Sequence, residues 1–137
     1  MTITQPHIRD HLKALTHEQR LSAQTLVDMM EETSHCKPKL WGTTVGFGKL
    51  YYRYPTGHDG YMPILGFAMR AKQITLYLSL DIAQLPGLKK LGTFTIGKSC
   101  LYIKKLSDVD LTKLKHLIQS AYEVTLKYDF VKVIQEQ

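Results

Sequence analysis

Eight consecutive residues, Gly92-Thr93-Phe94-Thr95-Ile96-Gly97-Lys98-Ser99, have the G-x-x-x-x-G-K-[ST] spacing of a phosphate-binding loop. That chemistry needs backbone N–H groups wrapped around phosphate oxygens, Lys98 on the outer phosphates and Ser99 on magnesium. It also needs a buried strand before the loop and a helix beginning at Lys98. The preceding Leu88-Lys89-Lys90-Leu91 is not a buried strand, and the following Cys100-Leu101-Tyr102-Ile103 reads as one. The loop interior, Thr-Phe-Thr-Ile, is bulky and β-prone. An acidic strand end that could hold magnesium occurs only upstream, at Asp81. The expectation is a loop feeding a strand, with Gly97 in a turn. A nucleotide-binding enzyme ranks third among the functions considered.

Metal and nucleophile chemistry have fewer candidates. Asp28, Glu31 and Glu32 fall on one stretch of sequence with helical period, and carboxylates suit hard cations such as ferrous iron. His7 and His11 stand one helical turn apart without a third ligand at matching spacing, and His35-Cys36 is a weaker pair. Cys100 could act as a nucleophile only with a histidine beside it, and nothing in the sequence places His116 or His58 there. No acid and base stand at a spacing that suggests catalysis, so the chain is not expected to be an enzyme.

Charge is the stronger signal. The net charge is +6 over 137 residues, but Lys37 to Lys105 holds eleven lysines and arginines against Asp59 and Asp81 alone, a local +9. A basic middle attracts anions over long range. Trp41, Tyr52, Tyr54 and Tyr102 would supply flat apolar walls and hydroxyl donors. Arg70 and Lys98 would attract an anion, Arg70 through its planar fork. These six residues are the candidate ligand-binding set, with packing as the equal alternative; Trp41 could plug the core where helix meets sheet. Lysines among tyrosines could also hold single-stranded nucleic acid. The tyrosines sit at strand positions where they serve packing, so nucleic acid is not the expected partner.

The elements that must position these residues follow from period and punctuation. Pro6 to Leu15 could be a short helix with Pro6 in its first turn. Thr16-His17-Glu18-Gln19 has the form of a capping box. Leu21, Leu26, Val27, Met29 and Met30 then predict an amphipathic helix ending near Ser34, before Lys37-Pro38. Lys49 to Tyr54, Met62 to Arg70, Gln73 to Leu80 and Ser99 to Lys105 read as strands, the middle two joined as a hairpin. Asp81 to Leu91 is ambiguous: Pro86 could start a helical turn and Gly92 stop it. Ser107 to Asp110 supplies caps for a helix carrying Leu111, Leu114, Leu117, Ile118, Ala121, Tyr122 and Leu126. Strands bracketed by helices predict a single α+β domain over residues 1–137. Its antiparallel sheet of about five strands is covered by helices on one face. The open face would carry Tyr77, Cys100, Tyr102 and Lys104, with Tyr51 or Tyr52.

Two cysteines 64 positions apart suggest neither a disulfide framework nor a zinc site. With no basic-then-apolar leader and no apolar run near the roughly 18 residues of a membrane span, a cytoplasmic setting without membrane contact is expected.

Two stretches carry a family resemblance. One is Lys39-Leu40-Trp41-Gly42-Thr43-Thr44-Val45-Gly46-Phe47-Gly48-Lys49-Leu50-Tyr51-Tyr52-Arg53-Tyr54, continued by Gly57, Gly60 and Gly66-Phe67. The other is Gly97-Lys98-Ser99-Cys100-Leu101-Tyr102-Ile103-Lys104-Lys105-Leu106-Ser107-Asp108-Val109-Asp110. In this order they resemble the YdhG-like family, a domain of unknown function, over residues 16–121. The resemblance implies a compact α+β fold and a mostly bacterial, cytosolic setting. It also makes Gly97-Lys98-Ser99 part of a strand motif. Some relatives are described as frataxin-like iron chaperones, which hold iron on acidic surfaces. This chain is basic, and its acidic patch is limited to Asp28, Glu31 and Glu32. The leading expectation is therefore a non-enzymatic binding module for a small anion or a protein partner, without a cofactor. Iron binding and delivery is the alternative.

Overall fold

The computed structural model describes residues 1–5 and 7–134, so the expected place of Pro6 in a first helical turn lies outside the described residues. In chain order the elements are α1 (Arg9–Lys13), α2 (His17–Ser34), β1 (Pro38–Trp41), β2 (Thr44–Phe47), β3 (Leu50–Arg53), β4 (Asp59–Met62), β5 (Leu65–Met69) and β6 (Ile74–Tyr77). After two short 3-10 turns, Ile82–Gln84 and Leu88–Lys90, come β7 (Thr95–Ile96), β8 (Cys100–Ile103), a third 3-10 turn, α3 (Leu111–Leu126) and β9 (Val131–Val133).

Helix α2 starts where its cap dictates. The Thr16 hydroxyl accepts the Gln19 N–H at 3.1 Å, and the Gln19 side chain accepts the Thr16 N–H at 3.0 Å. It stops at His35, which turns left-handed at φ 59° and donates its N–H to the Glu31 carbonyl at 2.8 Å. Ala23, Leu26, Val27, Met30 and Ser34 form its buried face. Leu21 does not join them: it lies five residues before Leu26, about 140° round the helix, and is 59% exposed. Helix α3 is capped by Asp110, whose carboxylate accepts the Lys113 N–H at 3.0 Å. Its buried face is Leu114, Leu117, Ile118, Ala121 and Thr125.

The strands form an antiparallel six-stranded sheet, ordered β1-β2-β5-β6-β8-β7, and a three-stranded sheet, β4-β3-β9. The expected single sheet is thus divided in two, and the cause is one bent hairpin. Phe47 pairs with Leu65 in the large sheet and Leu50 pairs with Met62 in the small one. The register is the same on both sides, so residues 44–53 and 59–69 are one long hairpin. It bends where Gly48 (φ 76°) on one arm meets Pro63-Ile64 on the other. Pro63 has no N–H for a ladder, and Ile64 returns the chain to Phe47 with an N–H to carbonyl bond of 3.0 Å. The expected strand Met62 to Arg70 is therefore cut at Pro63. Its remainder, β5, forms the expected hairpin with β6, closed by Arg70 N–H to the Gln73 carbonyl at 2.9 Å.

Helices α2 and α3 pack on one face of the large sheet, against β2 and β5. Val45, Phe47, Leu65, Phe67, Ile74, Leu76, Leu101 and Ile103 point into that layer and join the helix residues in one apolar cluster. In the small sheet Lys49 lies over the Tyr61 ring, 4.8 Å from its centroid. Tyr51 donates its phenol hydrogen to Asp59 at 2.5 Å.

Three measurements check this reading. Thr16→Ala removes half of the capping box and should cost about 1 kcal/mol in urea unfolding. Gly92 sits at φ 137°, and an added Cβ would fall 2.4 Å from the Asp108 carbonyl oxygen. Gly92→Ala should therefore cost more, about 2–3 kcal/mol. The hydrogen bond to Asp59 holds the Tyr51 phenol above its usual range. What that bond contributes is present below a pH of about 10 and lost as pH rises through the raised value. In an alkaline absorbance titration, Asp59→Asn should shift one tyrosine to earlier ionisation.

Candidate functional site

The six candidate ligand residues are spread over three places. Trp41 is only 3% exposed. It lies on the sheet face away from the helices, over Gly46 and Pro63; a Cβ at Gly46 would come within 2.6 Å of the indole. It therefore neither lines an open site nor plugs the helix–sheet junction. Its buried Nε1 has no hydrogen-bond partner among the described residues. Arg70 donates to the Thr43 hydroxyl at 3.0 Å, in the turn between β1 and β2. Arg70 follows the end of β5 where Met69, Ile74 and Ile103 are level, whereas Lys98 precedes the opposite end, where Tyr77 faces Cys100. Roughly 10 Å of strand separates those two ends. Arg70 and Lys98 thus do not share one anion, which corrects the expected pairing.

Tyr52 and Tyr54 do meet, with ring centroids 5.4 Å apart, on the small sheet. The contact runs on through His58, Phe130 and Tyr128, so these rings are largely occupied with one another. Tyr102 shares the far face of the large sheet with Cys100 and Tyr77, as the alternation predicts, and its hydroxyl lies beside Gly97. Tyr51 and Tyr52 belong to the other sheet and take no part there.

The remaining motifs resolve locally. No helix begins at Lys98: β7 lies inside the apparent phosphate loop, and Gly97 donates its N–H to the Cys100 carbonyl at 2.9 Å in a turn. Gly92 is needed for its contact with Asp108 and Val109, where it forms an isolated bridge. On α2, Glu31 pairs with Lys37 at 2.8 Å, Glu32 with Lys115 at 3.3 Å, and Asp28 accepts from Gln24 at 2.9 Å. Among the described residues, no group of three or more His, Cys, Asp or Glu side chains is placed to hold a metal ion. Cys100 is on the sheet face opposite the helices, so His116 of α3 is screened from it, and His58 stacks on Tyr54. No helix among the described residues is long and apolar enough to cross a membrane.

A groove of about 770 Å³ lies elsewhere, between α3 and the chain from Ala83 to Lys90. Its size is typical of small-molecule sites. Pro86, Leu88 and Ile96 supply open apolar surface, over a floor to which the buried Leu85 and Leu117 belong. Lys89 and Lys90 supply charge from the loop wall and Lys113 from the helix wall, where His116 adds an imidazole; among the described residues no acidic side chain lines it. Lys113, His116, Leu117 and Ser120 recur at three- and four-residue intervals, one face of α3. None of the side chains of Lys89, Lys90, Lys113 or His116 makes an ion pair or hydrogen bond among the described residues.

The loop wall is fixed by its own sequence. Ile82, Leu85 and Leu91 are buried in the core, which pins it at three points. The Ile82 N–H donates to the Lys98 carbonyl at 2.8 Å, and the Asp110 N–H to the Leu91 carbonyl at 2.9 Å. The same stretch carries Lys89-Lys90, the one adjacent pair of lysines besides Lys104-Lys105. That pair, and the Lys113/His116 interval on α3, were visible in sequence. Which face of α3 the loop would approach was not.

No protein-family model, curated protein or solved structure matches the chain.

Proposed function

We propose that this chain is a non-enzymatic binding module that holds a small organic anion in the groove between α3 and the 81–91 loop. The observation that carries the reading is three lysines and a histidine on two walls of an apolar groove that no acid lines among the described residues. Grouped cations focus a positive potential, and a low-dielectric floor strengthens it. Cations with no partner among the described residues have no ion pair there to give up when an anion arrives. Pinning the loop in advance reduces the ordering entropy that binding would otherwise cost. The same proposal takes the chain as a cytosolic member of the YdhG-like family, on its Trp-Gly, Val-Gly-Phe-Gly and Gly-Lys-Ser-Cys-Leu-Tyr-Ile-Lys motifs. Iron delivery has less support, since Glu31 and Glu32 already hold lysines.

Isothermal titration with benzoate, citrate and octanoate tests the reading. Saturable one-to-one binding of at least one is expected, weakening as salt is raised. The double variant Lys89→Glu, Lys90→Glu, and separately Lys113→Glu, should each lower affinity about tenfold. Arg70→Ala, which lines no part of the groove, should leave affinity unchanged. Absence of saturable binding, or an equal loss in Arg70→Ala, contradicts the proposal.

A further inference from the structure

We infer that the anion is amphipathic, a monomeric carboxylate carried on an extended aliphatic body. This rests on the groove being an anion site and goes further, to the chemistry of the occupant. A site for a compact polar anion such as phosphate or citrate would surround it with donors on all sides, without open aliphatic surface. Here, among the described residues, Ser120 carries the only hydroxyl of the lining, and Pro86, Leu88 and Ile96 present aliphatic surface to solvent above the buried Leu85 and Leu117. Cations on both walls hold a carboxylate head, and the aliphatic surface needs a body of its own kind to cover it.

The place of Ile96 in the sheet extends the same reason. It is a β-branched side chain on a two-residue edge strand, it faces the groove, and it is 40% exposed. Its partner across the ladder, Leu101, is fully buried in the core. The row of apolar residues that starts in the core at Leu76 and Leu101 thus runs out to the groove at Ile96. An aliphatic ligand would continue that row and remove Ile96 from water. The lysines suit this role as well. Their four-carbon stems lie along apolar surface while their ammonium groups stay hydrated, so Lys89, Lys90 and Lys113 can cover an acyl chain and hold its carboxylate together.

The test is calorimetric titration of the full chain with hexanoate, octanoate and decanoate below their aggregation concentrations. Citrate and vesicles of phosphatidylglycerol are run in parallel. Affinity should rise about fourfold per added methylene. Citrate should bind at least tenfold more weakly than octanoate. Ile96→Thr, a substitution at an exposed edge position, should flatten the chain-length series, and Leu88→Gln should do the same if Ile96→Thr disturbs folding by circular dichroism. Binding that is independent of chain length, or citrate binding as well as octanoate, overturns the amphipathic assignment and leaves the anion reading standing. A length series unchanged in both variants overturns the placement of the aliphatic body. Binding to vesicles alone makes the surface a membrane contact and overturns the monomeric ligand. No binding of any probe overturns both this inference and the reading beneath it.

Discussion

The loop between β6 and β7 stays against α3 because Gly92 has no side chain. At that point the backbone runs at φ 137° and passes so near Asp108 that a Cβ would sit 2.4 Å from its carbonyl oxygen. The close approach allows Thr93 to donate its N–H to Asp108 at 3.0 Å, and Asp110 to donate to Leu91 at 2.9 Å. These bonds tie the loop to the segment that caps α3, so the two walls of the groove share one anchorage. Without it, burial of Ile82, Leu85 and Leu91 and the Ile82–Lys98 hydrogen bond would still hold the loop on the core, but its tie to the segment that caps α3 would be lost. The glycine at the head of the phosphate-loop spacing is thus indispensable for a different reason. It sets a wall at a distance from a helix.

A second constraint shapes the rest of the molecule. Pro63 cannot donate to a ladder, and Gly48 turns the opposite arm. The long hairpin therefore leaves the large sheet at one level and pairs with β9 instead. This puts Tyr52 and Tyr54 on a separate small sheet, where they pack against His58 and Phe130. It also leaves Pro63 and Gly46 beneath Trp41, so that indole is buried. A tyrosine-rich, tryptophan-bearing sequence that suggests a ligand wall is used here largely to cover a bend.

Much of the fold was legible because its signals are local. The Thr16 cap, the α3 stripe and the alternation of Ile74, Leu76 and Leu101, Ile103 each lie within a few residues, and each appears where the pattern places it. Strands β1 and β2, four residues each around Gly42-Thr43, are too short to show a period. β9 is three residues long and exists through its pairing with β3, some eighty positions earlier by numbering. The candidate site was less legible still. Arg70 and Lys98 look equivalent in composition, yet strand register sends them to opposite ends of the sheet. The groove combines a loop with ambiguous period and a helix face that looks merely polar. Only tertiary packing brings the lysines of both together.

The proposed function requires the groove, rather than the basic surface at large, to be the place where an anion goes. Amide chemical-shift mapping of the labelled protein, titrated with octanoate, tests that most directly. Shifts concentrated in residues 83–90, at Ile96 and on the Lys113, His116, Leu117 and Ser120 face of α3, saturating together, are the predicted result. Shifts scattered over the lysines, or concentrated near Arg70, Lys72, Lys104 and Lys105, would contradict it.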